Sequence, residues 1–208
     1  MAIGPLVRKW LGPLERPVSD LYRGVFFNLD QFVSAVCRWT PATKILEVGC
    51  GEGAVLERLS RAYPEAQLTG IDITPRVGRQ FHGDRRRVTF HQETIEAFSA
   101  AHAGQFDLAL LCDVVHHVSW DFHETFLHQV RKVLKPGGCL VLKDWEIRRN
   151  LIHPFCHLSD RYLTGDRTRY GTEHSFRELI QRVFGPSSIE RLQRFSPWPN
   201  NMAFLIRV

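Results

Sequence analysis

Along most of the chain, short apolar runs alternate with stretches whose apolar residues recur every three or four positions. The runs at 44–48, 67–71, 88–91, 106–112 and 139–143 predict strands, and their continuous apolar character fits strands covered on both faces. The stretches at 53–62, 75–81, 94–102 and 121–134 predict helices. Alternation of this kind builds a mostly parallel sheet with helices on both faces. Right-handed crossovers then bring every strand's C-terminal end to one edge, where ligands bind. A helix at 175–184 and two strands, 188–195 and 201–208, close the chain, the strands separated by Ser196-Pro197-Trp198-Pro199-Asn200. The first 43 residues read as a separate leader, broken by Pro5, Pro13 and Pro17 and closed by Pro41. Within it, Leu29, Phe32, Val33, Val36 and Trp39 predict one amphipathic helix over 28–39. Two units result: a helical leader or lid, 1–43, and a single α/β domain, 44–208, carrying a substrate-side insert at about 144–174.

The most informative stretch is 44–53, Lys-Ile-Leu-Glu-Val-Gly-Cys-Gly-Glu-Gly. It ends a predicted strand in three glycines, Gly49, Gly51 and Gly53, just before a predicted helix. That arrangement is a nucleotide-binding unit. Glycines let the backbone turn and approach a ligand closely, and the free N–H groups at the helix start face it. An adenosine-like ligand is implied. Gly49-x-Gly51-x-x-Ala54, with Asp72 about 20 residues later, also satisfies the loose dinucleotide fingerprint. Three features depart from that reading. Glu47 stands two residues before the first glycine, the glycines alternate, and a second signature follows in Phe-Asp-Leu-Ala-Leu-Leu-Cys-Asp at 106–113 and Leu-Lys-Pro-Gly-Gly-Cys-Leu-Val-Leu at 134–142.

Together these residues resemble the class I S-adenosylmethionine-dependent methyltransferases, in particular the small-molecule group that includes the ubiquinone and menaquinone biosynthesis enzymes. The resemblance covers roughly 44–145. It implies a single Rossmann-like, seven-stranded, mostly parallel sheet with a C-terminal antiparallel strand, and S-adenosyl-L-methionine as cofactor. It further implies that Glu47, Gly49, Cys50, Gly51 and Gly53 hold the methionine part, that Asp72 binds the ribose and that Ile73 packs on the adenine. Glu93 and Thr94 replace the family's usual aspartate-alanine pair at the adenine amino group. Asp113 matches the position that lines the methyl-transfer site.

Methyl transfer needs a general base only when the acceptor must lose a proton, and a histidine suits that task near neutral pH. His117, and after it His116, lie just past the fourth strand at the ligand edge. Their valine neighbours allow the alternative that one is a packed residue. The insert is rich in aromatic and basic residues, from which Trp145, Arg148, His153 and Tyr162 are expected to contact substrate. Leu151, Phe155, Leu158, Tyr162 and Leu163 have the spacing of a short amphipathic helix. Equally, Trp145 and Phe155 read as core, with the arginines paired on the surface.

The composition narrows the partners. A chain of 208 residues with 44% apolar and 24% charged residues is one soluble-type domain. No apolar run is long enough for a membrane span, and the opening lacks a secretory pattern. Peripheral membrane contact through Leu6, Val7, Trp10, Leu11 and Leu14 is a further alternative. Five scattered cysteines without a C-x-x-C pair predict a reduced, cytoplasmic protein and no metal site. The net charge of +5 raises the question of nucleic acid, but the basic residues are dispersed apart from Arg85-Arg86-Arg87 and Arg148-Arg149. The expectation is therefore O-methylation of a small apolar, aromatic or lipid-like molecule. An RNA acceptor, a non-catalytic cofactor-binding scaffold and an NAD-linked enzyme are the alternatives. The sequence sets no oligomeric state.

Overall fold

The structure, a computed structural model, describes residues 15–148 and 168–208. It opens with two helices, α1 (Glu15–Phe26) and α2 (Leu29–Trp39). The apolar pattern predicts only the second, because prolines crowd the first. Pro17 lies in the first turn of α1, where its missing N–H has no intrahelical acceptor to lose, so the helix forms around it. Asn28 starts α2 as its cap, its side-chain oxygen accepting from Gln31 N–H at 2.9 Å.

The core alternates as expected: β1 (Lys44–Val48), α3 (Ala54–Ala62), β2 (Gln67–Asp72), β3 (Val88–Gln92), α4 (Ile95–Ala101), β4 (Phe106–Cys112), α5 (His123–Val133) and β5 (Leu134–Trp145). After these come α6 (Glu173–Phe184), β6 (Ile189–Phe195) and β7 (Asn201–Arg207). The seven strands run in the order β3-β2-β1-β4-β5-β7-β6, and β7 alone is antiparallel to its neighbours. The expected sheet is borne out, including its C-terminal antiparallel strand.

Strand alternation divides the interior into two layers. Leu46, Val48, Ala109 and Leu111 pack with Phe98, Leu127, Val130 and Ile180 of α4, α5 and α6. Ile45, Leu108 and Leu110 face the other way, onto Phe32, Val36, Leu56 and Leu59 of α2 and α3. The helix predicted in the leader is thus part of the core. Phe32 is fully buried, which alone contributes about 1.5–3 kcal/mol. Trp198 and Asn201, at the β6–β7 turn, tie down the end of α1 by donating to the carbonyls of Val25 and Phe26 at 2.8 and 2.7 Å.

Two expectations need correction. No helix forms over 75–81, because Arg76 and Gly78 adopt left-handed φ of 63° and 65°, which interrupts any right-handed turn. The segment instead braces the glycine loop, with Gly78 N–H donating to Gly51 O at 2.9 Å and Gln80 N–H to Glu52 O at 3.1 Å. Strand β5 begins at Leu134 and not at 139, since Lys135-Pro136-Gly137-Gly138 continues the strand past a register shift opposite Phe106–Leu108.

The basic triplet has a structural explanation. Arg87 donates to the carbonyls of Ser60, Tyr63 and Ala66, Arg85 to that of Gly78, and Arg86 pairs with Asp84. Among the described residues, no helix is long and apolar enough to cross a membrane.

Candidate active site

Strand β1 lies between β2 and β4, so the chain leaves it toward one side and later returns on the other. This is the topological switch point, the place beyond the strands' C-terminal ends where open α/β sheets take their ligands. The loops after β1 and β4 form its floor. They meet at Gly49, where a Cβ would fall 2.5 Å from a methyl of Val114 and where φ is +75°. Only glycine fits. At Gly51 a Cβ would meet nothing nearer than Asp72 Oδ2, at 3.9 Å, so the backbone is open on that side. That open cradle is shaped to receive a ligand.

Two carboxylates border it. Asp72, at the end of β2, accepts from Gly51 N–H at 2.7 Å and from Thr74 N–H at 2.8 Å, which fixes its direction. Glu47 is buried, and its Oε2 has no hydrogen-bond partner. Burial pushes the Glu47 carboxyl well above its ordinary range, and the Asp72 charge pushes the same way; a backbone bond from Leu56 opposes them. A buried acceptor without a donor is expensive, about 1–3 kcal/mol. A cationic ligand would supply both the missing donor and the missing charge. Cys50 is buried: its Sγ packs 2.7 Å from where a Cβ of Gly70 would lie, and burial raises its thiol pKa.

The remaining predicted cofactor residues line the same edge. Ile73 is 71% exposed, an isolated apolar side chain directly after Asp72. Gln92 pairs beside Asp72 in the sheet, which places Glu93 and Thr94 next along the rim. Thr94 Oγ1 caps α4 by accepting from Ala97 N–H at 3.3 Å, and Glu93 approaches His91 at 3.5 Å. Asp113 has a left-handed φ of 57°, and both its oxygens accept from Lys143 Nζ, at 2.7 and 2.6 Å. That lysine is 1% exposed, and its ammonium sits 3.8 Å from the centre of the Phe27 ring.

The two histidines differ sharply. His117 is exposed. His116 is buried and donates Nδ1–H to Asp144 Oδ1 at 2.6 Å, while its backbone N–H donates to Asp144 Oδ2 at 3.2 Å. Burial would raise the Asp144 carboxyl, but the charge and hydrogen bond of His116 win and hold it below the ordinary value. An ionised Asp144 keeps the proton on Nδ1. His123 stiffens this turn, its Nε2 bonding the carbonyls of Val115 and Val118 at 3.0 and 2.9 Å. The two neighbours thus stand in different surroundings, His116 buried on Asp144 and His117 exposed.

Lys143, Asp144 and His123 have little visible role in the sequence. A charged Lys-Asp pair ending the apolar run of β5 was the available signal for the first two. Of the predicted substrate residues, Trp145 is buried with its ring edge-on to Phe26 at 6.4 Å, so it packs the core. Arg148 reaches Glu146 at 3.3 Å. His153 and Tyr162 lie outside the described residues. Asp113, His116 and Asp144 bring three metal-type donors within 4.8 Å of one another. Their charges already have counterparts, since Lys143 holds Asp113 and His116 holds Asp144. A cation there would have to displace a buried ammonium.

Comparison with known proteins agrees with this fold. Residues 45–138 match the methyltransferase-domain family. A ubiquinone biosynthesis O-methyltransferase from Pectobacterium atrosepticum is 33% identical over 99 residues, which are 46% of this chain and 39% of that protein. The match thus spans about two-fifths of the curated relative. Two solved structures share the fold. One is a 1,6-didemethyltoxoflavin-N1-methyltransferase from Burkholderia thailandensis with bound 1,6-didemethyltoxoflavin and S-adenosylhomocysteine; its TM-score is 0.65 at 18% identity, covering 98% of this chain and 87% of that one. The other is human N-acetylserotonin methyltransferase in complex with SAM, with a TM-score of 0.63 at 17% identity, covering 86% and 55%. The class I methyltransferase resemblance seen in the glycine loop and its downstream signature therefore stands.

Proposed function

We propose that this chain transfers a methyl group from S-adenosylmethionine to an oxygen of a small apolar or aromatic acceptor, with His116 as general base. The observation that carries the cofactor is the partnerless buried carboxylate oxygen of Glu47 beside the open cradle at Gly51. When bound, S-adenosylmethionine supplies an electrophilic methyl on a sulfonium, open to in-line displacement. Glu47 and Asp72 complement its positive charge, Asp72 is oriented for ribose hydroxyls, and exposed Ile73 offers an apolar surface to the adenine. Asp113, clamped by Lys143, gives the methyl end a fixed wall.

His116 Nε2 takes the acceptor's proton, and Asp144 is the positioning residue that fixes the tautomer and stabilises the imidazolium. Burial of both limits water. An acceptor held in near-attack geometry gains up to about 7–11 kcal/mol. An RNA acceptor draws no support from the Arg85–Arg87 triplet, whose side chains are tied to carbonyls and to Asp84.

Titration calorimetry with S-adenosylhomocysteine tests the cofactor. Saturable binding, a heat-shift gain and their loss in Asp72→Ala are expected. Competition by NADH, or no binding by the unaltered chain, would remove the proposal. A radiolabelled methyl donor screened against small phenolic acceptors reads the transfer itself.

A further inference from the structure

Tyr170 belongs to two places at once. Its ring centroid is 4.9 Å from that of His116, and it also lines a cavity of about 380 Å³ with Trp120, Ile147, Thr168 and Arg169. The size suits a small ligand. Its walls are partly apolar: Ile147 is 44% exposed, and the Trp120 indole is part of the lining.

The hydrogen-bonding groups around this cavity are unbalanced. Trp120 Nε1–H is buried without an acceptor, and Thr168 Oγ1 is buried without any partner. Arg169 lies with its guanidinium 5.2 Å from the centre of the Trp120 ring, and no described carboxylate pairs with it. The nearby acids are already neutralised, Glu146 by Arg148 and Arg194, and Glu173 by Arg177 and Arg194. Thr172 and Ser175, which form the capping box of α6, bring that helix's positive end to the same wall. Donors and positive charge thus converge where, among the described residues, no acceptor answers them. A buried polar group left so calls for a partner.

We infer that this cavity binds the anionic end of a planar aromatic acid, the ring lying against Tyr170 and Trp120 and the carboxylate toward Arg169, Trp120 Nε1–H and Thr168. The inference rests on the methyl-transfer reading only in taking this ligand as the acceptor, whose hydroxyl would then lie toward His116. Arg169 is the specificity-determining residue, because it separates an acid from its neutral ester.

Calorimetry with 3,4-dihydroxybenzoate and with its methyl ester, each with and without S-adenosylhomocysteine, tests the site. The acid is expected to bind at least about tenfold tighter than the ester. Arg169→Gln, an exposed position that should not disturb folding, should erase that difference. Trp120→Phe, which keeps a ring but removes the N–H, should weaken the acid severalfold. Equal binding of acid and ester, an undiminished preference in Arg169→Gln, or no binding of either probe would overturn the inference. Failure of S-adenosylhomocysteine to bind would refute the methyl-transfer reading instead, while the acid-to-ester ratio still decides this one.

Discussion

Replacing Glu47 by glutamine should make the protein more stable and its cofactor site worse. In the folded chain, burial and the neighbouring Asp72 charge lift the Glu47 carboxyl well above its ordinary 4.5. The native state therefore holds this proton at pH values where the unfolded chain has released it. Stability from this group is complete below 4.5 and is lost as pH rises through the folded value. Glutamine mimics the protonated form at every pH. Its benefit should vanish at about pH 4 and grow toward about pH 8, reaching about 1–3 kcal/mol, the scale of a buried polar group without its partner. For a chain of this size each kcal/mol raises Tm by about 2–4 °C. Scanning calorimetry of both proteins across that range reads the gain, and S-adenosylhomocysteine titration should show affinity falling at least about tenfold. A variant that melts lower at about pH 8, gains equally at all pH values, or binds with full affinity would refute the reasoning.

Three other substitutions probe the remaining geometry. Asp144→Asn should lower kcat by about 10²–10⁴ while S-adenosylhomocysteine affinity stays within about twofold, because it frees the His116 tautomer without touching the glycine loop; equal losses in both would indicate a general structural defect. His116→Ala should abolish proton-dependent turnover and His117→Ala should not, and the opposite ranking in methyl-transfer assays would reassign the base. Gly49→Ala should cost about 1–3 kcal/mol through its collision with Val114, and Val114→Ala should restore part of that in denaturant melts. If the second change restores nothing, the two loops do not meet as described.

How much of this was legible in the sequence depended on the range of the cause. The glycine turn, the acid Asp72 at the end of the second strand and the succession of strands and helices follow from local spacing, so they were readable. The segment 75–81 had helical spacing, yet Arg76 and Gly78 are left-handed, and Gly78 and Gln80 bond a loop 27 and 28 positions earlier. Helix α1 was hidden by Pro17, whose tolerance depends on where the first turn begins. The His116–Asp144 and Asp113–Lys143 pairs each join residues about 30 positions apart. No periodicity reports such a meeting; only the adjacency of β4 and β5 creates it.

The placement of β7 has a consequence for how the molecule assembles. It follows the other six strands in chain order, but it sits inside the sheet, bonded to β5 on one side and β6 on the other. Until it inserts, β5 presents a long apolar edge with unpaired amides, the kind of surface that recruits neighbouring polypeptides. Ribosome-bound or partly refolded chains should therefore be most vulnerable to clumping just before that insertion, and chaperone capture should concentrate on the exposed flank of β5.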